Sequence, residues 1–194
     1  MAKFTVIPQD TFETMQYEAG VILSAFNPDP AEGEDNFTDE DVLCATTGDI
    51  GISVKPDLVD MGKEINNCPT GMAELMKNRS WTAQLRFTTP KLSAKLIALG
   101  LGPAEVSGNK ITVRDIKFED FKPIYWVGDL GNSGGFVGMK LLNAFSREGI
   151  EITAAKGTSG KMNIVLQGHV SINAQNIKPF EFYSTVNDME ETSA

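Results

Sequence analysis

Between Trp81 and Phe87 apolar and polar residues alternate without a break, as Trp81-Thr-Ala83-Gln-Leu85-Arg-Phe87. A period of two means a strand with one face buried and the other wet. The same period recurs at Ile50, Ile52 and Val54, at Ile111 and Val113, and at Ile150, Ile152 and Ala154. A long last strand reads from Met162 through Ile164, Leu166, Val170 and Ile172, all on one face. Ile124-Tyr-Trp-Val127 is β-branched and aromatic, and Val137, Met139 and Leu141 favour strand over helix. The turns between these runs are rich in glycine, as in Gly128-Asp-Leu-Gly-Asn-Ser-Gly-Gly135 and the hairpin loop Gly157-Thr-Ser-Gly160. One segment has a helical pattern instead. Thr89 as N-cap, Pro90 at the first helical position and Gly100 just past the end bracket a helix over about 89–99, with Leu92, Leu96 and Leu99 on one stripe. The pattern predicts a mainly β fold: an antiparallel β-sandwich or barrel with one flanking α-helix and extended loop or arm segments.

One connection does not fit the short-loop pattern. Asp57 to Asn78 lies between two good strands and carries Leu58, Val59, Met61, Ile65, Met72, Leu75 and Met76. Structureless loops of that length are uncommon inside a compact domain and are usually functional. Two readings stand side by side: a flap over an open end of the core, or an arm that packs on a neighbouring subunit. On the second, Leu58, Val59, Met61, Ile65, Met72 and Leu75 are the candidate subunit-interface residues. The chain then divides into an N-terminal arm and acidic loop over 1–41, a β-sandwich domain over 42–184 with the long loop 57–78, and an acidic tail over 185–194.

Charge sharpens that division. The chain of 194 residues has a net charge of −9. Seven carboxylates and no basic residue lie between Asn27 and Asp41, and Asp188, Glu190 and Glu191 lie in the tail. The rest is close to neutral, which gives no support for a clamp on nucleic-acid phosphates. The N-terminus lacks the apolar stretch of a signal peptide, and no apolar run is long enough to span a membrane. A cytosol-like site of synthesis is the expectation.

Candidate chemistry is sparse. Cys44, Cys68 and a single histidine cannot make a Cys/His zinc site, so no metal and no cofactor is expected, and the two thiols read as reduced. The acidic loop lacks the ligand spacing of an EF-hand. Gly131-Asn-Ser133-Gly-Gly135 satisfies the nucleophile-elbow pattern, with His169 downstream and Glu148 or Glu151 as possible acid. That pattern has meaning only between a strand and a helix of an α/β sheet, and its surroundings here read as antiparallel hairpins. Gly157-Thr-Ser-Gly160-Lys161 resembles a phosphate loop, but Met162 stands where Ser or Thr is required and a strand follows, not a helix. No catalytic residue is assigned.

Several strings, taken in order and spacing, resemble the major tail tube proteins of long-tailed, non-contractile bacteriophages. They are Asp10-Thr-Phe-Glu-Thr…Ala19-Gly-Val, Ala45-Thr-Thr-Gly-Asp-Ile, Asp60-Met-Gly-Lys…Asn66-Asn-Cys-Pro69 and Ser80-Trp81, then Ile124-Tyr-Trp-Val-Gly-Asp129, Gly168-His-Val-Ser-Ile-Asn-Ala-Gln175 and Pro179-Phe-Glu-Phe-Tyr-Ser184. The resemblance covers roughly Asp10 to Ser184. It implies a β-sandwich with a flanking helix, assembled as a homo-oligomer of hexameric rings stacked into a tube that conducts DNA from capsid to host without specific binding. It also implies a virion location in the tail, synthesis in the host cytoplasm, contacts with tape-measure, tail-tip and terminator proteins, and a long connection that reaches the next subunit or ring. Alternatives with the same body are the tube protein of a contractile tail or secretion-type injection system, and a capsid decoration protein. A serine hydrolase is the enzymatic rival.

Overall fold

The computed structural model describes residues 11–16, 18–131 and 135–185. After a single helical turn, α1 (Thr11–Thr14), come β1 (Val21–Leu23), β2 (Val42–Cys44), β3 (Gly51–Asp60) and β4 (Met76–Thr89). Helix α2 (Ala94–Leu101) and the small hairpin β5 (Ala104–Ser107) and β6 (Lys110–Val113) follow. The chain continues as β7 (Lys122–Asp129), β8 (Phe136–Thr153), β9 (Lys161–Gln167) and β10 (Phe180–Ser184). Every strand pairing among the described residues is antiparallel, and the order is β2-β1-β7-β8-β9-β4-β3, with β10 also on β8.

β8 joins two layers. Its first half pairs with β7 and β10, its second half with β9, and a bulge between Ser146 and Ile150 lies within the second pairing. A bulge bends and twists a strand, which is how one strand can serve two packed sheets. Layer one is β2-β1-β7-β8 with β10, and layer two is β8-β9-β4-β3. Their inner faces meet in one core, where Ile22, Trp126, Met139 and Leu141 pack with Leu85, Phe87, Met162, Ile164 and Leu166. The architecture is the antiparallel β-sandwich with a flanking helix that the alternation predicts.

Three local expectations are corrected. The helix begins later than Thr89, because Thr89 is still in the ladder opposite Met162 and is fully buried. Its hydroxyl accepts from the Lys91 amide at 3.0 Å, closing a turn, and Ser93 is the N-cap, accepting from the Leu96 amide at 3.4 Å. Leu92 therefore precedes the helix and stays exposed, whereas Leu96 is buried and Leu99 packs on the core. At the other end Gly100 is inside the helix, and Gly102, with φ of 82°, is the C-cap. The last long strand stops at Gln167: the Gly168 amide makes a final bond to β4, at the Ala83 carbonyl (3.0 Å), and the chain then leaves β4. Val170 and Ile172 are exposed on the excursion that follows. Leu142 brackets that excursion: its carbonyl accepts from the His169 amide and its amide donates to the Pro179 carbonyl, both at 3.0 Å. β9 and β10 thus run along the same edge of β8.

The N-terminal segment is partly built into the sheet, because β1 pairs with both β2 and β7. Phe26 packs on the outer face of layer one against Phe136 (5.2 Å between rings), Tyr125 and Tyr183. The acidic loop leaves from there and returns by a hydrogen bond from the Asn27 amide to the Asn36 carbonyl at 2.8 Å. Residues 1–10, Ser133 and the tail 186–194 lie outside the described residues.

Candidate functional site

Both ends of the long connection are ladder. β3 and β4 stay paired from Gly51 opposite Arg86 out to Asp60 opposite Met76, with a bulge at Asp57/Leu58, so only 61–75 lies outside the strands. β9 accompanies β4 to Gln84, with one further bond from Gly168 to Ala83. Beyond that point β3 and β4 form a two-stranded ribbon. The exposure pattern marks the same place: buried and accessible positions alternate from Ala83 to Thr89, while Met76 to Ser80 are all exposed. At about 3.4 Å per residue, Ala83 to Met76 carries the ribbon roughly 24 Å from the sheet. Pro56 is tolerated here because β3 is the last strand of its layer.

The ribbon's two faces differ. Ile52, Val54, Pro56, Leu58 and Asp60 on β3 share a face with Leu85, Ala83, Trp81 and, past the bulge, Asn78 and Met76 on β4. This is the core face of layer two, continued to where no described strand of layer one covers it. Leu58 is 54% exposed and Met76 37%. Trp81, half-buried at the base, meets Phe180 edge-on at 5.5 Å, and Phe180 meets the exposed Phe182 at 5.8 Å. On the opposite face lie Lys55, Asp57 and Val59 of β3 with Thr82, Ser80 and Lys77 of β4.

The tip is a folded unit. The Asp60 carboxylate accepts from the Gly62 amide at 2.8 Å and the Gly71 amide at 3.0 Å. The Gly71 and Gly62 bonds hold its pKa below the ordinary value, since both favour the charged form. Gly62 is buried, and a Cβ there would lie 2.9 Å from Leu75 Cδ1 and 3.0 Å from Cys68 Sγ. Leu75 and Cys68 therefore close over Gly62, and Cys68 Sγ lies 3.7 Å from Met72 Sδ. Met61, Ile65 and Met72 point outward, 50%, 56% and 41% exposed. At the base Arg79 pairs with Asp57 at 2.7 Å.

Of the six interface candidates, Leu58, Met61, Ile65 and Met72 are exposed together on the ribbon and its tip. Val59 is half-buried on the other face, and Leu75 is half-buried inside the tip. Met76 and the pair Phe180 and Phe182 are additions. Met76 was legible in principle as a continuation of the alternation, but the extra residue at Arg79 breaks the period.

The other motifs fall on turns and loops. Gly131 to Gly135 joins β7 to β8, with Asp129 opposite Phe136 and the Leu130 amide on the Gly135 carbonyl at 2.9 Å, so antiparallel strands flank it on both sides. His169 is not on a strand. Its Nδ1 lies 3.1 Å from the Asn143 carbonyl, the Asn143 side chain donates back to the His169 carbonyl at 2.9 Å, and Phe121 and Phe145 present to its ring edge-on. Gly157 to Gly160 belongs to the β8–β9 connection. Cys44 and Cys68 are both free thiols, and burial pushes the Cys44 thiol up. Among the described residues no group of three His, Cys, Asp or Glu side chains is placed to hold a metal ion, and no helix is long and apolar enough to cross a membrane. The sequence matches no protein-family model and no curated protein.

Proposed function

We propose that this chain is a structural virion protein, the subunit of a phage tail tube, which self-assembles through its β3–β4 ribbon. The observation that carries the reading is the core face on that ribbon, uncovered among the described residues and ending in a tip that exposes Met61, Ile65 and Met72. A lone two-stranded hairpin is marginally stable in water, and its open edges and apolar side chains invite pairing. Contact with the next copy resolves all three at once. Rings of six stacked into a tube, with DNA passing through and tape-measure, tail-tip and terminator proteins at the ends, are what the family resemblance adds. On this reading the chain has no catalytic residues and resides in the virion tail.

The test is the double substitution Leu58→Asp with Met61→Asp. Each wild-type side chain is about half exposed, so burying the remainder at an interface contributes on the order of 1 kcal/mol per residue, and a buried unpaired carboxylate reverses the sign. Several such contacts per ring make assembly fail. The variant should keep the wild-type circular dichroism and urea midpoint yet show no rings or tubes by negative-stain electron microscopy where the wild type forms them. Normal tubes from the double variant would refute the ribbon's role.

A further inference from the structure

The wet face of layer two has a charge pattern unlike the rest of this acidic chain. The wet-face positions of β4 and its ribbon extension are Lys77, Ser80, Thr82, Gln84, Arg86 and Thr88, with no carboxylate among them. Lys55 faces Thr82 from β3, and Lys161, Asn163 and Gln167 continue the strip across β9 on either side of the buried Val165 opposite Arg86. Arg86, Thr88, Lys161, Asn163, Glu151 and Thr153 line an open trough of about 390 Å³ on this face. Two carboxylates belong to the strip. Asp57 is held by Arg79, and Glu151 is the other. Lys55, Lys77, Arg86 and Lys161 have no salt bridge among the described residues. The seven carboxylates of 27–41 follow Phe26, which packs on layer one. The densest run of carboxylates thus leaves from layer one, away from this strip.

We propose that this strip makes weak, sequence-independent contacts with the phosphodiester backbone of duplex DNA. Only Arg86 and Lys161 share the trough, and Lys77 stands about 31 Å from Arg86 at strand spacing, so the four cations taken together suit an extended polyanion. The hydroxyls and amides between them are the side chains that bond phosphate and sugar oxygens without reading bases. Four spread cations make a salt-labile rail, not a clamp. The choice of DNA among polyanions rests on the tail-tube reading; the phosphate chemistry does not.

The experiment is fluorescence anisotropy of a labelled mixed-sequence duplex with the full chain, between about 20 and 150 mM NaCl, where four phosphate contacts give a log–log slope of about −3.6 and weaken binding about 10³-fold. The strip variant Lys55→Gln, Lys77→Gln, Arg86→Gln, Lys161→Gln should lose the low-salt binding. The charge-matched control Lys110→Gln, Lys122→Gln, Lys156→Gln, Lys178→Gln should keep it. Inorganic phosphate should compete only as far as its ionic strength explains. No binding by the wild type at low salt, equal loss in both variants, or specific competition by inorganic phosphate would each overturn the proposal. The same titration with Leu58→Asp/Met61→Asp separates it from assembly: DNA binding that persists there leaves the strip standing whatever becomes of the tube.

Discussion

Gly100→Ala sets two effects against each other in the buried turn of α2. Alanine in a helix interior is favoured over glycine by about 1 kcal/mol. Against that, a Cβ on Gly100 would lie 2.1 Å from Ile150 Cγ2 and 3.4 Å from Ile164 Cγ1. Apolar carbons rest about 3.5–4.0 Å apart, so helix and strand must separate by roughly 1.5 Å or Ile150 must leave its rotamer. Overpacking of that kind costs about 1–3 kcal/mol. The net expectation is a loss of about 1 kcal/mol, a fall of roughly 2–4 °C in Tm for a chain of this size. In urea the midpoint should drop with the slope unchanged. A double-mutant cycle identifies the cause: in an Ile150→Ala background the clash is gone, and Gly100→Ala should become stabilising by up to about 1 kcal/mol. A higher midpoint for Gly100→Ala alone, or the same cost in both backgrounds, would refute the close-approach account of this glycine.

Other substitutions test other joints. Gly62→Val should push Leu75 and Cys68 out of the tip, speeding amide exchange at Gly62 and Gly71 and abolishing assembly while the urea midpoint of the body stays put. Asn143 has φ of 45° and donates to the His169 carbonyl, so Asn143→Gly should cost only the hydrogen bond, about 1 kcal/mol, and Asn143→Ala should cost visibly more in the same urea titration. Asp120 accepts two bonds from the Arg114 guanidinium, at 2.6 and 2.9 Å, which together with the Lys117 amide hold its pKa below the ordinary value. A depressed carboxylate pKa contributes stability that is complete above the unfolded value, near 4, and is lost as pH falls through the folded one. Between about pH 5 and 2 the wild type should therefore lose more stability than Asp120→Asn; parallel curves would remove Asp120 from the acid transition.

Alternation made the strands legible because it depends only on which face is buried. What it could not supply was where each strand ends. Thr89 and Ser93 are equally good N-caps as letters, and only the pairing of Thr89 with Met162 excludes the first. Gly100 and Gly102 are equally good C-caps until the approach of Ile150 assigns one to packing and the other to the positive φ. The two runs that make up β8 read as separate strands because the bulge between Ser146 and Ile150 breaks their period, as the extra residue at Arg79 does on the ribbon. Pro56 looks like a strand terminus, but that inference holds for interior strands, and β3 is at the edge. The candidate site was visible as apolar residues without a home. Its split into an apolar face, a folded tip and a polar back needs the register.

That register joins the two proposals. Successive side chains of a strand point to opposite faces, so a ribbon leaving a sandwich carries the core's chemistry outward on one side and the solvent's on the other. On β3 and β4 the inner side continues as Val54, Pro56, Leu58, Trp81 and Met76, and the outer side as Lys55, Thr82, Ser80 and Lys77. No described strand covers the inner side, and on the proposed reading another copy does. The outer side is already solvated and is free to meet a solvated polyanion. An extension built this way can enter a subunit contact with one face and keep the other open, without any change of fold. The bulge at Asp57/Leu58, with Arg79 as the extra residue on β4, shifts the alternation so that Met76 falls on the inner side and Lys77 on the outer, and Arg79 pairs with Asp57 beside it.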